Sequence, residues 1–305
     1  MNDEEIGQKE SNEEIEEQDE AFEKTIEAGK ILAQVREETK EKVKPGVKLL
    51  EVAEFVEGRT VELGAQPAFP CNISINSDAA HFTPKKADSR VFEEGNVVKI
   101  DMGSHIDGYI ADTATTIDLG DHEQLVKASQ EGLNRAIENV YAGADTANIG
   151  AAIEEGIREF GYKPIINLTG HGLQPYLTHT KPTIYNFGTD RGVTLEEGMI
   201  IAIEPFATDG SGKVVERGET EIYSFVNPKT VRMKKARELL EEIKEYKTLP
   251  FAKRWLNKAS PIILGKLVNE GVIKGYPVLS EAAKGLVSQA EHTMIIEEDG
   301  AKVIT

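Results

Sequence analysis

From about Ala21 the residues Phe22, Ile26, Gly29 and Ala33 recur at i, i+4, i+7 and i+11, the spacing of one helical face. Pro45-Gly46 closes that run, because proline disfavours a helical residue before it. A second helix is predicted through Leu49, Val52, Ala53 and Val56. The period then changes: residues 96–117 read as two strands around a turn containing Asp107-Gly108. Helices return over about 121–141 and 146–160, followed by a strand-rich region from about 165 to 226. Residues 229–258 read as an inserted helical element, with Ala236, Leu240 and Ile243 on one face, and a last strand is predicted over about 291–303.

An internal echo organises these elements. Phe-Glu-Glu-Gly-Asn-Val-Val-Lys-Ile-Asp (92–101) matches Leu-Glu-Glu-Gly-Met-Ile-Ile-Ala-Ile-Glu (195–204) without gaps, 103 residues apart. Each copy follows a helix pair, and in each a Glu-Glu-Gly turn launches an apolar strand that ends in a carboxylate, Asp101 or Glu204. Two such halves facing each other would bring their acids to a common centre.

Charge sharpens the picture. The 305 residues carry a net −18. Residues 1–20 hold ten acids against Lys9 and almost nothing apolar, which predicts a disordered acidic tail. Residues 227–275 hold twelve Lys or Arg against five Glu, a net +7, leaving the remaining body strongly acidic. An acidic body repels phosphate backbones, so nucleic acid is not the expected primary ligand. No run approaches the roughly 20 apolar residues of a membrane span, and the Glu-rich start is unlike a signal or transit peptide. The one cysteine, Cys71, excludes an internal disulfide and fits a reducing compartment. A cytoplasmic protein is expected.

The candidate chemistry lies in carboxylates. With a loop at His105–Gly108, symmetric pairing sets Asp101 opposite Asp112 amid Ile100, Met102, Ile110 and Ala111. Directly opposed acids, with Cβ atoms about 4.5–5.5 Å apart, repel, so in apolar surroundings they need a proton or a cation between them. Glu204 follows the apolar run Met199–Ile203, and buried Glu is rare unless paired or coordinating. Glu291 opens the last strand, and His171 lies in Thr-Gly-His-Gly, read as a flexible flank suited to presenting an imidazole. Each signal is weak alone: an exposed edge hairpin, a solvent-facing Glu and a structural His explain them equally. His292 alternates with Glu291 and should point away; His105 is read as a loop residue, His122 as a helix start and Cys71 as packing.

Phe69-Pro-Cys-Asn-Ile-Ser-Ile-Asn-Ser-Asp-Ala-Ala-His81-Phe-Thr-Pro84 resembles the substrate-access segment of type 2 methionine aminopeptidases. Asp101 and Asp112, Gly170-His171-Gly172, His179, Ile203-Glu204-Pro205-Phe206 and Gln289-Ala-Glu291-His-Thr293 match that family in order and spacing. The resemblance covers about residues 21–305, and the short N-terminus without a polybasic extension is similar to the archaeal form. It implies an α+β pita-bread fold: two pseudo-symmetric αα-sheet halves around a dinuclear metal site. Residues 21–305 would form the catalytic domain, with the inserted helical subdomain at about 227–275.

By the same resemblance Asp101, Asp112, His171, Glu204 and Glu291 would hold two divalent ions, Co, Mn, Fe or Zn, with Asp112 and Glu291 bridging. Four carboxylates would cancel the two dications. Removal of N-terminal methionine ahead of a small second residue is implied, by a bridging hydroxide with Glu204 as proton shuttle and His81 and His179 as stabilisers of the intermediate. Phe69 and Tyr276 would wall the methionine pocket, core packing being the ordinary alternative. A monomer acting on nascent polypeptides is expected. The basic insert reads as a solvated helix, with a transient ribosome contact as the other reading. Two rival functions stand: an X-Pro aminopeptidase or prolidase, which normally carries an extra N-terminal domain, and a non-catalytic peptide- or RNA-binding relative.

Overall fold

The computed structural model describes residues 3–257 and 259–305, with side chains from residue 20 onward. In chain order it comprises α1 (Asp3–Lys40), α2 (Leu49–Glu62), β1 (Gln66–Ile75), β2 (Asp78–Ala80), β3 (Val97–Ile106), β4 (Tyr109–Asp118), α3 (Glu123–Glu138) and α4 (Thr146–Glu159). There follow β5 (Lys163–Pro164), β6 (Thr169–Gln174), β7 (Leu177–Tyr185), β8 (Ile200–Ile203), β9 (Phe206–Thr208) and β10 (Val214–Phe225). The remainder is α5 (Lys234–Ile243), β11 (Phe251–Ala252), α6 (Pro261–Asn269), β12 (Ile273–Glu281), β13 (Val287–Gln289), β14 (Glu291–Glu297) and β15 (Gly300–Val303).

The main sheet runs β1-β3-β4-β14-β8-β6-β7, with β15 pairing β14. Around the β4–β14 seam its order is mirrored: β1-β3-β4 on one side, β6-β8-β14 on the other. Residues of α1 and α2 form a core with Ile73, Val98 and Ile100 beneath the first half. Residues of α3 and α4 pack with Ile184, Ile201 and Ile203 beneath the second. The echo is visible in the backbone. Gly46 N–H donates to Phe92 O and Gly143 N–H to Leu195 O, both at 2.8 Å. Gly95 and Gly198, which end the two Glu-Glu-Gly turns, sit at φ 86° and 81°. Side chains with a Cβ rarely adopt that conformation, so the glycine in both copies is a requirement of the turn.

Two expectations change. The hairpin turn has two residues, Asp107 (φ 51°) and Gly108 (φ 95°), both left-handed as a type I′ turn needs. It therefore sets Asp101 opposite Ala114 and Asp112 opposite Gly103. Asp101 and Asp112 are diagonal neighbours on one face, not an opposed pair. The last strand is a hairpin, with β14 and β15 antiparallel. The bounds of α1 run back to Asp3. The expected tail otherwise lies outside the described residues, its first two having no described backbone and residues 3–19 no described side chains.

A second sheet, β11-β10-β12-β2, stands against the main one. β10 and β12 flank the inserted segment, where α5 and α6 bury Leu239, Leu240, Ile243, Leu264 and Leu267 with Phe251 in a core of their own. This sheet carries β2, whose end leads into His81, and β12, which carries Tyr276.

Candidate metal centre

Each half supplies one acid at the seam and one from the strand beside it. Asp101 lies on β3 and Asp112 on β4; Glu204 follows β8 and Glu291 opens β14. Asp112 and Glu291 are only 3% and 2% exposed. His171 on β6 is buried beside them, its Nε2 3.7 Å from Glu204 Oε1 and 3.9 Å from Asp112 Oδ2. Its Nδ1 lies 3.3 Å from Gly172 O. If Nδ1 carries the proton for that contact, the Nε2 lone pair faces two carboxylates with no donor between them.

The glycines around His171 have a different purpose from the flexibility expected of them. A Cβ at Gly170 would lie 2.6 Å from Ala202 O, and one at Gly172 2.2 Å from Lys181 O. They let β6 press against both neighbouring strands, which fixes the imidazole.

Among the described residues, Asp101 Oδ1, Asp112 Oδ1 and Glu291 Oε2 are buried without a hydrogen-bond partner. Burial raises Asp101 to about 7, with a partial offset from Gln289. Burial, then repulsion from Asp101, raises Asp112 well above its ordinary range. Glu204 and Glu291 rise for the same reasons: burial first, then neighbouring acids. Burial, then His179, holds His171 neutral. Such groups must bind protons or share a cation. The donor set fits a metal. Asp112, His171 and Glu291 each offer a ligand atom within 4.8 Å of the others, and so do His171, His179 and Glu204. His179, expected only at the substrate, is thus also within reach of a ligand role.

The acids open into a cavity of about 210 Å³, walled by Phe69, His81, His179, Ile222, Tyr276 and Leu279. His81 sits at φ 64° with its ring 5.7 Å from that of Tyr276, and its Nδ1 is buried and unpaired among the described residues. Burial, then His179, lowers it to about 4, so it is neutral near pH 7. The His179 ring is open to the cavity and 4.1 Å from that of His171, and desolvation, then Lys274, lowers it too. His292 lies on the other face, bonded to Arg36 and Thr305.

Three supporting residues were not assigned roles from sequence. Gln289 Nε2 lies 3.5 Å from Asp101 Oδ2 and 3.4 Å from Glu204 Oε2. Thr293 Oγ1 donates to Asp112 O and accepts from Asp112 N–H, both at 2.8 Å, tying β14 to β4 at the site. Asn72 is paired with Asp101 across β1 and β3 and lines the cavity. For Thr293 the alternation with Glu291 was the available signal, since period two places the pair on one face of β14.

Residues 23–242 match the profile of metallopeptidase family M24. A methionine aminopeptidase of Archaeoglobus fulgidus is 66% identical over 288 residues, covering 94% of this chain and 99% of that protein. Among solved structures, a thermophilic Arx1 superposes with a TM-score of 0.83 at 18% identity, covering 93% of this chain and 90% of the other. A methionine aminopeptidase from Thermotoga maritima gives 0.70 at 24% identity, covering 94% and 96%. The two structural likenesses carry the pita-bread fold; the sequence match carries kinship. The chain belongs to metallopeptidase family M24.

Proposed function

We propose that the chain removes N-terminal methionine from new polypeptides, as a type 2, archaeal-type methionine aminopeptidase favouring a small second residue. The observation behind this reading is the cluster of four acids around His171 at the cavity, three of which (Asp101, Asp112 and Glu291) keep a buried oxygen without a hydrogen-bond partner among the described residues, in a chain 66% identical to an enzyme of that name. Asp101, Asp112, His171, Glu204 and Glu291 would hold two divalent ions, and this oxygen-rich set with one imidazole suits Mn, Fe, Co or Zn. Bound there, such ions supply a Lewis acid for the scissile carbonyl and a nucleophile available at neutral pH.

The protein's own groups do the rest. Glu204 takes the proton from the attacking water and returns it to the departing amine. Neutral His81 and His179 donate hydrogen bonds to the oxygen that gains charge. Phe69 and Tyr276 bound the methionine side chain. On this reading residues 21–305 are the catalytic unit, 227–275 its insert, and the enzyme works as a cytosolic monomer. Its +7 insert stays solvated or touches the ribosome transiently.

Incubation with Met-Ala-Ser and Ala-Pro-Ser peptides, with metal analysis alongside, tests this. Methionine release from the first alone is expected. Cleavage of the second alone would identify an X-Pro enzyme, and neither release nor bound metal would identify a binding protein.

A further inference from the structure

His81 adopts a left-handed backbone conformation, φ 64°. A residue with a Cβ stays there at a cost, and only where its surroundings over-determine it. Those surroundings include one long-range device. Arg254, in the tight turn Lys253–Trp255 of the insert, has a side chain only 5% exposed. Its guanidinium pairs with Glu57 of α2. The same group donates to Thr83 Oγ1 at 2.7 Å and to Pro84 O at 3.1 Å, two and three residues beyond His81.

Two further bonds tie the same short segment to β1. Thr83 Oγ1 donates to Cys71 O at 2.8 Å, and Ile73 N–H donates to Phe82 O at 2.7 Å. Glu57 is itself fixed by Trp255 Nε1 at 2.8 Å and Cys71 N–H at 3.1 Å. One buried guanidinium therefore joins α2, β1, the insert and residues 83–84. A planar five-donor group can reach a carboxylate, a hydroxyl and a carbonyl together; a lysine ammonium lacks that fork geometry.

We propose that Arg254 is a positioning residue for His81: the insert clamps residues 83–84 through the Arg254–Glu57 pair and so holds the imidazole against the cavity. This rests on the reading of the reaction given above. It assigns the insert a task inside the active site, distinct from any surface role of its basic charge.

The test is a double-mutant cycle between Arg254→Lys and His81→Ala, read as methionine release with metal content monitored. If Arg254 acts through His81, R254K lowers kcat about tenfold or more with KM little changed, since sub-ångström misplacement is costly. In the H81A background the same change should cost less than about twofold, as expected for coupled residues. Equal fold losses in both backgrounds overturn the proposal. Hydrogen exchange on the intact, metal-loaded protein gives a readout free of turnover: R254K should quicken exchange at residues 81–83, and unchanged exchange there overturns the clamp. If R254K does not fold, Thr83→Val, which strands no charge, replaces it in both measurements. Failure of the wild-type protein to release methionine would sink the reaction reading, and the exchange comparison would still decide the clamp.

Discussion

Glu281 and Glu291 lie ten residues apart and are equally hidden, 0% and 2% exposed. Their surroundings are opposite. The Glu281 carboxylate accepts hydrogen bonds from Ser211 N–H and Oγ, Gly212 N–H, Ala283 N–H and Gly285 N–H. Burial pushes it up, but those donors, Ser211 foremost, outweigh burial and hold it below the ordinary range. Glu291 keeps one oxygen unpaired among the described residues, and burial and three neighbouring acids push it up. A buried acid that the fold satisfies is a fastener; one that the fold leaves wanting is a place for a ligand.

The largest effect that could break this division is at the seam. Asp112→Asn should reduce methionine release below detection and lower metal content on purified protein; unchanged metal would remove Asp112 from the ligand set. His81→Ala, touching another unpaired atom, should lower turnover on the order of 10²–10³-fold while metal stays bound. Loss of metal there would make His81 a ligand instead. Glu281→Gln tests the other class. It should leave metal content intact and cost about 2–3 kcal/mol in urea unfolding, because charge-assisted hydrogen bonds are lost.

Two pH experiments sharpen the comparison further. Asp101, raised to about 7, keeps in the fold a proton that the unfolded chain releases near its ordinary 3.8. The stability this contributes is complete below that lower value and is lost as pH rises through about 7. Chelated protein should therefore melt at a higher temperature at about pH 5 than at about pH 8. Metal-loaded protein should show the reverse, because protons compete with the ions for the same oxygens. The smallest effect belongs to Asp88, held down to about 2 chiefly by Arg90. Its contribution is present above its ordinary 3.8 and is lost as pH falls through about 2. Asp88→Asn should cost less than about 1 kcal/mol at neutral pH, since Arg90 is half exposed.

Much of this was readable from the chain. The echo of 92–101 in 195–204 announced two halves with an acid each, and the helix pairs followed from period alone. The register of the central hairpin was not readable, because Asp107-Gly108 is compatible with both a four-residue and a two-residue loop. Only the two left-handed φ values decide it. The diagonal placement that results separates Asp101 from Asp112 more widely than direct opposition would. The site residues came from resemblance more than from physics, as each acid had an ordinary explanation in isolation. Arg254 and Glu57 meet across 197 residues of sequence, and no local pattern marks such a contact. The glycines beside His171 were visible, yet their reason, two neighbouring strands at close quarters, exists only in three dimensions.

One consequence of the sheet order concerns how the molecule is made. β14 pairs with both β4 and β8, so the strand that joins the halves is translated after either of them. A ribosome-bound chain that has emerged only through β10 holds two half-sheets with acids facing a gap and nothing to bridge them. Docking of so distant a strand is a late, high-contact-order event, and hydrolytic competence would switch on in that single closing step.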